Sequence, residues 1–216
     1  DVYDIERTAG ELGSRWELLG IGLKFYSTCR SKHTTIDALR KFRADHPEIK
    51  PEDIKKIRVG TTSITHKYSV PADEITSVVS AQLSHPYVCA VTLLEGNAFV
   101  EQFTEEKIQD PKILDLARKV EVYTNPDIEN LPRELRYTIT VEIDLNNGQT
   151  FHLKNEYPKG HPLNPFSKEE LLWKFNSLAG RVFEDEERRK KIADTVLNLE
   201  EVENIRHLTA LLRRDT

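Results

Sequence analysis

The sequence has no methionine at any of its 216 positions. A natural chain begins with that residue and this one opens at Asp1 in mid-pattern, so we expect a processed or truncated piece of a longer protein. Only two cysteines are present, Cys29 and Cys89, which excludes a disulfide scaffold, a four-cysteine zinc site and a self-contained iron–sulfur cluster. Basic excess is also missing: 31 Lys and Arg against 36 Asp and Glu leave a net charge of −5, the wrong sign for a nucleic-acid binder. No run approaches the roughly 20 apolar residues of a membrane helix, and the opening residues do not form a signal peptide. Nor is there a phosphate-binding glycine loop, a serine-centred elbow or a His-Glu metal helix. What is left is 38% hydrophobic and 31% charged, enough for a core beneath a wet surface and for one domain or two small ones.

The pattern along the chain is mixed. Residues 1–16 are polar and read as the tail of a preceding helical segment. Leu19, Ile21, Leu23 and Phe25 alternate with Gly20, Gly22, Lys24 and Tyr26, which predicts an extended segment with Lys24 opposite the apolar row. The two glycines beside it suggest room for a ligand at the ammonium group. Helices are expected over 33–44, 72–84, 87–94 and 111–119, with Pro86 as a breaker and Gly96 as a stop. Strands are expected around Ile57–Thr61 and Val120–Val122. The clearest local signal is a hairpin, in which Tyr137, Ile139, Val141, Ile143 and Leu145 alternate with polar residues before Asn147-Gly148 and a return strand. After the proline-rich stretch 157–166, Ser167 and Glu170 form a capping box, and the rest reads as helix to about Arg213. A helical tail of about 50 residues is too short to bury its own core.

One segment concentrates chemistry. LKFYSTCRSKHTTIDAL, from Leu23 to Leu39, brings Lys24, Cys29, Arg30, Lys32 and His33 to the point where an extended stretch enters a helix. Cations near a helix N-terminus favour a carboxylate ligand. The plainer reading is a solvated charge cluster, with Cys29 a small buried hydrophobe and His33 a first-turn residue. Asp37, one turn after His33, either orients the imidazole or stabilises the turn.

The pattern Lys24-x-Tyr26, Cys29-Arg30, His33, Ile36-Asp37-Ala38 resembles the signature that opens the C-terminal half of the MmgE/PrpD family. AQLSHPYVCAVTLLEG at 81–96, DPKILDLARKVEV at 110–122 and YPKGHPLNPFSKEELLWKF at 157–175 are similar to later blocks of that family, in the same order. The resemblance implies an α+β fold: a small mixed lid domain with an antiparallel sheet and helices over 17–161. Residues 162–216 would then be C-terminal helices of an all-helical domain largely outside this chain. It further implies a cofactor-independent, metal-free lyase acting on a small di- or tricarboxylate, with 2-methylcitrate dehydration the leading expectation. Cis-aconitate decarboxylation and iminodisuccinate epimerisation are the alternatives, and a cytoplasmic homodimer is the expected form. By the same resemblance Lys24 and His33 are the candidate catalytic residues, and Cys29, Arg30 and His66 the candidate substrate contacts. Their shared task would be to ionise a carbon beside a carboxylate, which calls for a positioned acid–base group and cations at the developing charge. Two readings from other classes stay open: a binding module that holds carboxylates without turnover, and a dimerisation piece using the stripe Leu171, Leu172, Phe175 and Leu178.

Overall fold

The computed structural model describes residues 10–213, and these fall into two compact units, one ending at Pro165 and one beginning at Phe166. The first unit is a four-stranded sheet with helices on one face. Its strands are β1 (Ile54–Thr61), β2 (Val120–Thr124), β3 (Ile139–Leu145) and β4 (Thr150–Asn155), in the order β2-β1-β3-β4. The β3–β4 hairpin and the β1–β3 pair are antiparallel. β1 and β2 run parallel, in a register that sets Ile57 beside Val120. A parallel pair needs a long crossover, and residues 62–119 supply it through α2 (Ser63–Lys67), α3 (Val78–Leu83), α4 (His85–Glu95) and α5 (Pro111–Ala117). The fold is therefore α+β, with one parallel edge added to the expected antiparallel sheet.

Alternation decides which face of the sheet is wet. Ile139, Val141, Ile143 and Leu145 of β3 are buried, whereas Thr140, Glu142 and Asp144 are half-exposed. On the wet face Arg58 reaches Glu142 and Asp144, at 2.7 Å each. On the dry face lies α1 (His33–Asp45), which buries Ile36, Leu39 and Phe42 at helical spacing. The Phe42 ring meets Phe151 of β4 edge-on at 5.1 Å. Deeper still is α4, with an unbroken buried run from His85 to Leu93. Such a helix is apolar nearly all round because it is covered on every side.

Two expectations need correction. The alternating segment before Phe25 is not a strand: Glu17–Gly20 is a 3-10 turn, and 21–25 has no ladder partner. Leu19, Ile21 and Leu23 are 78%, 58% and 51% exposed, and only Phe25 is buried. Pro86 is not a breaker either. The chain breaks at Ser84, whose hydroxyl caps α4 by accepting from the Tyr87 amide at 3.2 Å, and Pro86 sits in the first turn, where no N–H is needed.

After the short α6 (Pro126–Glu129) of the first unit, the second unit contains α7 (Lys168–Ala179), α8 (Glu186–Leu197) and α9 (Arg206–Leu211). The Ser167–Glu170 capping box is present in both directions, at 3.2 and 2.8 Å. The stretch read as continuous helix from 185 is interrupted between α8 and α9. Among the described residues of this unit only Ile192 is buried, and α7 buries none. No helix among the described residues is long and apolar enough to cross a membrane.

Candidate functional site

The chemistry-bearing segment is a loop pinned from several directions. The Ser27 amide donates to the Ala98 carbonyl at 3.1 Å, and the Cys29 amide to the Gln82 carbonyl at 3.3 Å. The Thr28 hydroxyl donates to that same Gln82 carbonyl. The Tyr26 side chain anchors the start of the loop: its hydroxyl donates to Asp37 Oδ1 at 2.5 Å and accepts from Arg40 at 3.1 Å. Asp37 Oδ2 accepts the Lys159 amide at 2.7 Å. Burial raises the Asp37 carboxyl, and the Tyr26 and Lys159 donors hold it back. Asp37 therefore ties α1 to two loops rather than orienting His33.

Lys24 and Cys29 line one groove of about 390 Å³, together with Tyr26, Thr28, Gln82 and Leu83. Lys24 is exposed and Cys29 is half-buried. Beneath them sits Lys32, only 1% exposed. Ser31 bridges the two: its hydroxyl lies 3.4 Å from Cys29 Sγ and 3.5 Å from Lys32 Nζ. Burial alone would raise the Cys29 thiol. The Ser31 hydrogen bonds and the charges of Lys32 and Lys24 together outweigh it and lower the thiol below its ordinary value. Burial lowers the Lys32 ammonium, and the thiols of Cys29 and Cys89 partly restore it. Cys89 behind them is fully buried and its thiol is pushed up to about 12 by burial, against the pull of Lys32.

His85 completes this interior cluster. Its amide donates to Ser69 Oγ at 3.1 Å, and its Nδ1 lies 3.3 Å from the same oxygen. Complete burial and then the Lys32 charge hold the imidazole well below its ordinary range, with the Ser31 backbone partly offsetting them. A buried imidazole and a desolvated ammonium thus stand behind a half-buried thiol whose pKa is lowered, and the thiol faces a groove that carries a second ammonium. Such a site can hold a carboxylate and exchange a proton with it.

Only part of the expected site comes together. His33 is 0% exposed; its Nε2 lies 3.4 Å from the Thr28 carbonyl and its ring packs edge-on against Tyr26 at 5.2 Å. It braces the loop from inside. Arg30 turns away from the Lys24 groove, donates to the Leu23 carbonyl at 3.3 Å and fills the space over Gly22. A methyl group there would sit 2.6 Å from its central guanidinium carbon. The glycine accommodates Arg30 and not a ligand at Lys24. His66 is exposed on α2, 3.1 Å from Thr124 Oγ1, and lines a different groove with Ser69, Pro71 and Arg118. The residues missed from the sequence are His85 and Cys89. Their four-residue separation puts them on one face of α4, the available signal.

The family model described as the MmgE/PrpD C-terminal domain matches residues 26–199. A cis-aconitate decarboxylase of Aspergillus terreus is 30% identical over 97% of this chain and 44% of its own length. A cis-aconitate decarboxylase-like protein of Aspergillus oryzae is 25% identical over the same shares. The cis-aconitate decarboxylase of Homo sapiens is 32% identical over 62% of this chain and 27% of its own. The chain spans less than half the length of the curated relatives it matches.

Proposed function

This chain belongs to the MmgE/PrpD family, and from that premise we propose that the complete protein is a lyase acting on a small polycarboxylate, with Lys24 and Cys29 at the reacting end. The observation that carries the proposal is the placement of these two side chains on one groove. In this reading residues 17–161 are the lid of the enzyme and 162–216 are helices of its larger domain.

Decarboxylation of cis-aconitate is the favoured reaction, because the relatives that cover almost the whole chain carry that name. The bond from carbon to one carboxylate breaks and carbon dioxide leaves. Its electron pair forms a new double bond, and the pair of the old one moves to the carbon beside a second carboxylate. That carbon then takes a proton. Lys24 holds the carboxylate where the charge gathers, and the Cys29 thiol supplies the proton. Dehydration of 2-methylcitrate passes through the same kind of charge in the other direction: a proton leaves the carbon beside a carboxylate, and the hydroxyl departs as water. His33 is a positioning residue in either case, since it is fully buried against the Thr28 carbonyl.

The test is turnover by the complete protein with cis-aconitate, 2-methylcitrate and iminodisuccinate. We expect carbon dioxide release from the first, and a loss of roughly a hundredfold in kcat/KM for Lys24→Ala, the scale for removing one charge-stabilising donor. Retention within about threefold would remove Lys24 from the reaction. Failure to turn over any of the three substrates would overturn the lyase reading.

A further inference from the structure

A second groove of about 730 Å³ lies on the first unit, and its lining shares no residue with the Lys24 groove. Three arginines converge on it, Arg30, Arg133 and Arg136, with Tyr137, Tyr157 and His161 among their neighbours. The Tyr137 ring is the common platform: the Arg30 guanidinium carbon is 5.6 Å from its centroid and that of Arg136 is 4.9 Å. Two of the three guanidinium groups on this groove thus lie against one aromatic ring. None of the three arginines forms an ion pair with a carboxylate among the described residues. Of the two acids on the groove, Glu17 is 2.7 Å from Arg15, and Glu134 stands beside its sequence neighbour Arg133.

The concentration is unusual for this chain. Acidic residues outnumber basic ones, and elsewhere the guanidinium groups of Arg58 and Arg118 are each matched by two carboxylates. Here three are held together, two of them ordered by the same aromatic ring, and Arg30 is fixed further by its bond to Leu23 and its fit over Gly22. A planar guanidinium matches carboxylate and phosphate oxygens two bonds at a time. Burial and then the Arg30 charge lower the His161 imidazole.

We infer that this groove is a binding site for a small anion bearing two or more carboxylate or phosphate groups, separate from the Lys24–Cys29 groove. The arginines clamp the anionic groups, and the Tyr137 and Tyr157 rings border the ligand's carbon or ester skeleton. One site beside another, both selective for multiply charged acids, suits an effector chemically related to the substrate.

The experiment is calorimetric titration of the complete protein with citrate, inorganic pyrophosphate and acetate at matched ionic strength. Arg136→Gln, Arg30→Gln and Lys24→Ala are titrated in parallel, and circular dichroism verifies each fold. Citrate or pyrophosphate, but not acetate, should bind wild type. The affinity should fall about tenfold or more in each arginine variant, the scale of one hydrogen bond to a charged group. It should persist in Lys24→Ala, in which turnover falls about a hundredfold. Arg136→Lys, which keeps the charge and loses the fork, should fall in between and covers the case in which a glutamine variant does not fold. A preference for citrate assigns carboxylates, and one for pyrophosphate assigns phosphates. Equal binding of acetate, or loss of binding in Lys24→Ala with the arginine variants unaffected, overturns the site. Because these readouts are binding constants, failure of the lyase proposal leaves them interpretable.

Discussion

The Tyr26–Asp37 bond offers the sharpest test of how the site is held. Replacing Tyr26 by Phe removes one oxygen and preserves the ring packing against His33 and Phe25. The lost hydroxyl donates to Asp37 at 2.5 Å and accepts from Arg40 at 3.1 Å. Asp37 keeps only the Lys159 amide at 2.7 Å. A hydrogen bond to a charged group contributes about 1.5–3 kcal/mol. For a folding unit of this size each kcal/mol moves the midpoint by roughly 2–4 °C, so the variant should melt about 5–10 °C lower near neutral pH. The pH dependence makes the test specific. Burial leaves the folded Asp37 carboxyl above its unfolded value of 3.8. Protonation therefore favours the folded state, and that contribution is lost as pH rises through the folded value. Removing Tyr26, which favours the ionised form, should enlarge this loss. The variant should therefore be most destabilised at neutral pH and approach wild type in acid. Chemical denaturation at about pH 7 and about pH 4.5, with Asp37→Asn and the double variant, measures it. An equal penalty at both pH values, or additivity within about 0.5 kcal/mol, would show that the bond does not couple the two residues.

Two further outcomes follow from the same geometry. Lys32→Met should move the pH at which Cys29 becomes reactive to iodoacetamide upward, because Lys32 is the leading charge that favours the thiolate; peptide mass spectrometry distinguishes Cys29 from the unreactive Cys89, and an unchanged profile would mean that Lys32 is neutral beside the thiol. Gly22→Ala should weaken binding of citrate or pyrophosphate about tenfold by displacing the Arg30 guanidinium, the scale of one charged hydrogen bond, while carbon dioxide release from cis-aconitate continues; undiminished anion affinity would show that the fit of Arg30 over Gly22 does not matter.

The parts of the fold legible in advance are those in which local pattern and long-range partner coincide. The run Ile139–Leu145 alternates and is followed by Asn147-Gly148; Gly148 adopts φ +89°, and the turn delivers β4 as the partner strand. Leu19–Phe25 alternates equally well but has no paired strand among the described residues, and a backbone bond runs outward from Leu23 to the Gly160 carbonyl at 2.8 Å. Alternation specifies which side chains share a face, and it is silent about whether a neighbouring strand will arrive. The same limit applies to β2, whose parallel pairing with β1 depends on a crossover of nearly sixty residues that no local signal encodes.

The candidate site divides along a similar line. Lys24 and Cys29 share one groove because a single short loop contributes both. His33, a candidate catalytic residue by resemblance and a first-turn residue on the plainer reading, lies on α1, which buries it between Tyr26 and the Thr28 carbonyl. Lys32 precedes it by one residue and is drawn inward as well, toward His85 and Cys89 on α4. An ammonium group is ordinarily excluded from such a position by its desolvation penalty. Here the nearby thiols of Cys29 and Cys89 partly offset that penalty. The inward lysine and the ionisable thiol are thus two halves of one arrangement, with Ser31 between them. The Ser31 hydroxyl at 3.4 Å from the Cys29 sulfur and 3.5 Å from the Lys32 ammonium is the structural ground for testing Cys29 as more than a small hydrophobe at the edge of a loop.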